Sequence, residues 1–271
     1  MVEEIIIILN DSEPDNLLKL IEAEILPEYG ALIDKVRLVD GSTLTSFKAK
    51  DWRSQQVLKL RIHAEVKTPW YGVLDAKNHW IRLATYDHLF GPGLKPRAVI
   101  GHYGPRSKQL RLTALNAMGL DSGVSDVVHL LFITPFFLRT QIVRDLVRYM
   151  AEEKKLPLED FFALEGASEF SLYDAYLRRR EIDQNALYSC TPIPISLTFW
   201  HERQALGQEF KDRAAVIDDQ GVLMFALHRE LFGHMPENFR NWVASVWLDR
   251  GLVANDSEAQ AFLARPSIKP E

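Results

Sequence analysis

Glu3-Glu4-Ile5-Ile6-Ile7-Ile8-Leu9-Asn10-Asp11-Ser12 is the stretch on which the reading of the fold turns. Its apolar run is too short for a stable helix and suits a buried strand, where β-branched side chains pack well on the pleat. Asn10-Asp11-Ser12 ends it with residues whose side chains hydrogen-bond locally and favour turns. Pro14 then stands where a first helical turn tolerates proline, and Leu17, Leu18, Leu20, Ile21, Ala23 and Ile25 follow at helical spacing. Lys35 to Val39 is a second strand-like run, stopped by Asp40-Gly41-Ser42. From Asp51 to about Val66 the pattern is helical again; Thr68-Pro69 breaks it, and Trp70 to Leu74 reads as a third strand. Strand, helix, strand, helix, strand predicts an α/β fold with a mostly parallel sheet flanked by helices.

Beyond this frame, Gly91-Pro92-Gly93 and Pro96 mark a loop before a short strand at Ala98 to Ile100. Val127 to Ile133 reads as a buried strand ended by Thr134-Pro135. A long helix is expected from about Leu138 to Glu153, with Lys154-Lys155 where the helix dipole favours cations. Ser168 to Arg180, Asn238 to Asp249 and Asp256 to Leu263 also read as helices, and Val222 to Leu227 as a late strand ending at His228. No repeat, low-complexity tract or long linker divides the 271 residues, so a single domain is expected.

Composition narrows the function by exclusion. The chain is 47% hydrophobic and 25% charged, ordinary for a globular protein. Its net charge of −5 argues against duplex nucleic acid, which calls for a basic face. The lone Cys190 excludes an internal disulfide, a four-cysteine zinc site and a CxxC redox pair. An acidic start and the absence of a window near 20 apolar residues predict no signal peptide and no membrane span. A cytoplasmic protein, at most peripherally associated with a membrane, is expected, and the Asn-Asp-Ser sequons at Asn10 and Asn255 are then coincidental. There is no GxxxxGK[ST] loop, GxGxxG turn, HExxH helix or GxSxG elbow. His201-Glu202 starts like a zinc helix but lacks the second histidine.

The remaining signal lies at strand ends, where open α/β sheets bind ligands. Asn10 and Asp11 follow the first strand, Asp40 the second, and Asp75-Ala76-Lys77-Asn78-His79 the third. Taken singly, Asn10 and Asp40 suit ordinary turn and capping chemistry; their recurrence at one sheet edge points to a ligand.

The segment Thr68-Pro69-Trp70-Tyr71-Gly72-Val73-Leu74-Asp75-Ala76-Lys77-Asn78-His79 resembles the region around the Asp-x-Asp motif of GT-A glycosyltransferases. More narrowly, it is similar to GT-A-like proteins encoded with bacterial surface-polysaccharide genes, in which an aromatic strand runs into Leu-Asp-Ala. Asp51-Trp52-Arg53-Ser54-Gln55-Gln56-Val57-Leu58-Lys59-Leu60 resembles that group's preceding helix, and Ser168-Glu169-Phe170-Ser171-Leu172-Tyr173 its later helix start. The likeness covers roughly residues 3 to 180. It implies a Rossmann-like GT-A fold, with a nucleotide-sugar-binding half over 1–130 and an acceptor half with carboxyl-terminal helices over 131–271. It also implies transfer of a sugar from a nucleotide-sugar donor to a saccharide or lipid-linked acceptor.

On that resemblance Asn10, Asp11, Asp40, Gln55, Lys59 and His228 contact the donor, Asp75 accepts a hydrogen bond from its ribose or sugar, and Glu169 is the general base. An inverting transferase needs such a base as the acceptor hydroxyl attacks the anomeric carbon. The chain departs from the motif at Lys77, where the family usually carries the aspartate that binds manganese or magnesium. A lysine repels such an ion, and two unit charges at ~4 Å interact by about 4 kcal/mol at an effective dielectric near 20. Lys77, with Arg82 or a histidine, is therefore the candidate to stabilise the departing diphosphate directly. The competing reading pairs Lys77 with Asp75 at the rim.

Ser168-Glu169 also suits a helix cap and dipole complement, and His79 and His228 suit structural roles. Gln55 and Lys59 share a helix face, which leaves Gln56 to solvent. Arg178-Arg179-Arg180 reads as a basic helix end, and Phe136-Phe137 and Phe199-Trp200 as core. The rival function is a catalytically inactive nucleotide- or glycan-binding regulator; a nucleotidyl- or phosphotransferase is disfavoured by the missing phosphate loop.

Overall fold

Strands Ile5–Leu9 and Val36–Asp40 pair in parallel, with Leu9 level with Asp40. The computed structural model describes residues 2–11, 14–47, 52–102, 104–121, 128–199, 215–217, 222–232 and 235–264. Ser12, Asp51, Val127, Trp200, His201 and Glu202 lie outside the described residues. The chain forms two compact units. The first comprises Met1–Tyr71, His102–Leu130 and Phe137–Asp183; the second comprises Gly72–Gly101, Leu131–Phe136 and Gln184–Glu271.

In the first unit the link between the parallel strands is not one crossover helix. Helix Pro14–Leu20 passes through a π turn at Ile21–Ile25 into 3-10 turns over Leu26–Lys35, interrupted at Gly30 with φ +50°. Helices Arg53–Arg61, Pro105–Ala117, Thr140–Glu152, Leu158–Leu164 and Glu169–Arg179 supply most of the core. Ile142, Val143, Leu146, Tyr149 and Met150 are buried at the one-face spacing of an amphipathic helix. Helix Glu169–Arg179 is different: the nine residues Glu169 to Leu177 are all buried, as in a central helix packed all round.

Gly41 is set by sterics. A Cβ there would lie 2.9 Å from the Leu9 carbonyl oxygen and 3.2 Å from the Leu58 side chain. Its absence lets the chain after Val36–Asp40 press against the end of Ile5–Leu9 and against helix Arg53–Arg61.

In the second unit, Met224–Leu227 runs parallel to Ser196–Phe199 and antiparallel to Asn78–Trp80. Arg97–Gly101 pairs in parallel with Ser189–Thr191. Phe199, Phe225, Leu227, Phe239, Val243 and Trp247 form the heart of its apolar core.

These sheets overturn the expected mostly parallel GT-A-like, Rossmann-like sheet. The fold is α/β, but among the described residues its sheets have two or three strands each, and one is mixed. Ile5–Leu9 and Val36–Asp40 form a sheet of their own, which Trp70–Val73 does not join. The physical reason shows in their burial: Ile5 to Ile8 are only half-buried, whereas a central parallel strand is covered on both faces. The polar segment after Leu74 is a turn, closed by Asn78 N–H donating to the Asp75 carbonyl oxygen at 2.8 Å, and it leads into Asn78–Trp80, which pairs antiparallel with Met224–Leu227. Strands Ile5–Leu9, Val36–Asp40 and Trp70–Val73 lie where the runs place them, but helix Pro105–Ala117 and strand Asn78–Trp80 were not foreseen, and Phe136–Arg139 is a strand where the long helix was expected to begin.

Candidate functional site

In the first unit, helix Arg53–Arg61 starts where the two parallel strands end. Asn10 Nδ2 donates to Ser54 Oγ at 3.1 Å. Asp40 spends its carboxylate nearby, accepting from the Ser42 backbone N–H and from Ser42 Oγ, both at 2.8 Å. That is the capping chemistry foreseen as its alternative role, and it caps the short helix Gly41–Leu44. Asp11 is exposed beside Asn10.

Further along helix Arg53–Arg61, Lys59 Nζ stands 2.9 Å from Glu169 Oε1, with the Glu169 side chain 2% exposed and the Lys59 side chain 15%. The same ammonium lies 5.5 Å from the centre of the Phe170 ring. Gln56 Oε1 accepts from the Glu169 backbone N–H at 3.2 Å, satisfying one of the orphan donors of the helix start. Ser168, not Glu169, caps this helix: its hydroxyl accepts from Ser171 N–H at 3.1 Å, and Ser171 Oγ accepts from Ser168 N–H at 3.0 Å. The Glu169 carboxylate is thereby left for Lys59, at the positive end of the helix dipole.

Two residues join this pair that were not foreseen. Tyr71 donates its hydroxyl to the Lys59 carbonyl oxygen at 3.0 Å. Burial, then the neighbouring Tyr173 and Glu169, push the Tyr71 phenol well above its ordinary range, so it stays protonated. Gln56 is buried, correcting the expectation that it is solvated, while Gln55 is the exposed member of the pair. The signal lay in the pattern: Gln56 sits next to Val57 and four before Leu60, both fully buried.

In the second unit, Lys77 Nζ lies 3.1 Å from Asp75 Oδ2, the pairing foreseen as the rival to a diphosphate role. The turn beneath them is held by Asn78, whose Oδ1 accepts from Asp75 N–H and from Thr134 Oγ1, both at 2.8 Å. One carboxylate already paired with an ammonium does not fit a divalent cation. Among the described residues, no three histidine, cysteine, aspartate or glutamate side chains are grouped as a metal site would require. His228 caps the turn Arg229–Leu231 by accepting from Glu230 N–H at 3.4 Å. Arg82 donates to the Ile217 carbonyl oxygen at 2.9 Å.

His79 packs into the core of the second unit, its ring 4.1 Å from Phe225 and 5.6 Å from Trp247. Its Nε2 accepts from Trp247 Nε1–H at 2.9 Å, which places the proton on Nδ1, 3.3 Å from the Lys77 carbonyl oxygen. Burial lowers its pKa from 6.5 to about 4. Between those values the unfolded chain holds the extra proton. Stability is therefore complete above about pH 6.5 and falls as the pH drops toward 4, by about 3 kcal/mol in all. Urea unfolding at pH 7 and pH 5 is expected to show about 2 kcal/mol of this loss in the wild type. His79→Gln, which keeps an acceptor for Trp247, removes most of the difference; an unchanged difference would assign the loss to other groups.

The structure thus brings Lys59 and Glu169 into contact, and places Asn10 and Asp40 at the ends of the two paired strands, bonded to Ser54 and Ser42 respectively, all in the first unit. Asp75, Lys77 and His228 belong to the second. Arg178 is also structural: its Nε lies 3.3 Å from Asp174 Oδ2, and its Nη2 donates to His129 Nδ1 at 2.8 Å. Phe136 and Phe199 are buried, as expected of core. Among the described residues no helix is long and apolar enough to cross a membrane. Residues 1–223 match a protein family described as a family of unknown function, DUF6492. No curated protein matches the chain.

Proposed function

The chain belongs to the DUF6492 family, and from the geometry around Glu169 we propose that it is a glycosyltransferase. It uses a nucleotide-sugar donor and a saccharide or lipid-linked acceptor, in bacterial surface-polysaccharide synthesis. The observation that carries this reading is the buried Lys59–Glu169 pair. Its carboxylate stands at the start of the helix where the resemblance places the general base, and a proton transfer requires such a group. The resemblance at residues 51–60, 68–79 and 168–173 supplies the reaction class.

In this reading the donor lies at the strand ends by Asn10, Asp11 and Asp40. The acceptor oxygen bonds to the anomeric carbon as the bond from that carbon to the diphosphate oxygen breaks. The acceptor's proton passes to the Glu169 carboxylate. Lys59 offsets the charge that burial would otherwise penalise, and Tyr71 holds the Lys59 backbone in place. A cytoplasmic location is part of the reading and accords with a single cysteine in 271 residues.

A second reading, a catalytically inactive nucleotide- or glycan-binding regulator, is favoured by one observation: Glu169 is 2% exposed and already paired. Thermal-shift measurements with a panel of nucleotide sugars and free nucleotides, with and without manganese, test both. One nucleotide sugar at about 100 times its Kd is expected to raise Tm by roughly 5–10 °C without manganese. Stabilisation with no turnover supports the regulator, and no stabilisation by any nucleotide sugar contradicts the transferase.

A further inference from the structure

Two turns beyond Glu169, the same helix lines an open cleft of about 320 Å³, within the size range of small-molecule sites. Tyr176 stands seven residues after Glu169, which returns it to nearly the same helix face roughly 10 Å further along. Across from it is Tyr149, on helix Thr140–Glu152, with ring centroids 5.4 Å apart and planes inclined by 56°. Both tyrosines are buried for most of their surface; among the described residues neither hydroxyl has a hydrogen-bond partner and neither is a fully buried unsatisfied atom, so both reach the open cleft. Burial raises the Tyr176 pKa, so its hydroxyl remains a donor. Asp145, Arg148, Glu152 and Arg180 complete the walls, with Glu153 as a third carboxylate.

We propose that this cleft is an acceptor subsite that holds a neutral oligosaccharide. A sugar ring has C–H faces that lie against aromatic rings and a rim of neutral hydroxyls, each able to donate and to accept. Arg148 and Asp145 are paired with each other at 2.6 Å; the phenols and Arg180 supply the donors here, and Glu152 and Glu153 supply the acceptors. The walls carry both signs with a slight excess of acid, which opposes a phosphate or uronate and leaves a neutral polyol as the complementary ligand. The position of Tyr176 on the Glu169 helix puts the subsite in line with the acid–base pair, and to this extent the inference rests on the transferase reading.

Titrations of the full chain with neutral tetrasaccharides of the malto-, cello-, chito- and dextran types test it, with trilysine and the nucleotide-sugar panel alongside. At least one tetrasaccharide is expected to bind, and Tyr149→Phe, Tyr176→Phe and Arg180→Ala each weaken it about fivefold, the loss of one hydrogen bond. Their affinity for the nucleotide sugar is expected to be unchanged. Failure of every tetrasaccharide to bind, equal binding by the variants, or binding of trilysine alone would overturn the proposal. Nucleotide-sugar binding without oligosaccharide binding removes the cleft and keeps the transferase. Oligosaccharide binding that depends on Tyr149 and Tyr176, without nucleotide-sugar binding, keeps the cleft and removes the transferase.

Discussion

Glu169→Gln is expected to lower sugar transfer by roughly 10²–10⁴-fold, the range of a general base, while preserving the shape of the side chain. The same change leaves the Lys59 ammonium, 15% exposed, without its carboxylate. Breaking a buried pair on one side costs about 3–5 kcal/mol, so the variant is also expected to unfold at a lower temperature. Lys59→Met with Glu169→Gln separates the two effects. Replacing both charges restores most of the lost stability, because neither ion is left uncompensated, but it leaves transfer as low as in the single variant. Near-normal transfer by Glu169→Gln, with the fold intact, would refute the base role. Recovery of transfer in the double variant would show that the pair serves the fold alone.

Asp174→Asn is expected to cause the largest loss of stability from a single change away from the proposed site. Asp174 Oδ2 accepts from Arg111 Nη1 at 2.8 Å and lies 3.3 Å from Arg178 Nε, with the Asp174 side chain 1% exposed and the Arg111 side chain 2%. Arg178 also donates to His129 Nδ1 at 2.8 Å, and an imidazole supplies no negative charge. Asparagine keeps the size but removes the charge, leaving two guanidinium groups facing each other in a buried site. About 3–5 kcal/mol is expected, or a fall in Tm of roughly 6–20 °C. Arg111→Met with Asp174→Leu should recover much of this, since a well-packed apolar pair often matches a buried ion pair. A fall of less than about 1 kcal/mol would place the network in the class of surface pairs and contradict its burial.

Local structure was legible because it depends on short runs. Ile5–Leu9, Val36–Asp40 and Trp70–Val73 are strands where β-branched and aromatic residues cluster, and Thr140–Glu152 is a helix where apolar residues recur on one face. Assembly depends on which faces meet, and strand spacing alone does not encode that. The polar residues Asp75 to Asn78 looked like the carboxyl end of a parallel strand, but Asn78 closes them into a turn by accepting from Asp75 N–H. The antiparallel strand that follows carries Ile81, 2% exposed, into the core of the second unit.

The site divides in the same way. Glu169 stood out as an acid at a helix start, and Lys59 as a cation on an earlier helix, but their contact spans 110 residues of chain. Gln56 was hidden because Gln55 and Gln56 are chemically identical, and only the helix phase decides which faces Glu169. Tyr71 looked like one aromatic among several. Its role appears only when its hydroxyl reaches the Lys59 carbonyl oxygen.

The most direct test of the central claim is release of nucleoside diphosphate from a panel of nucleotide sugars in the presence of EDTA. The wild type should turn over one of them, faster when a suitable acceptor saccharide is added, and Glu169→Gln should bind the same donor with little release. A folded wild type that releases nothing from any nucleotide sugar, with EDTA or with manganese, would contradict the transferase.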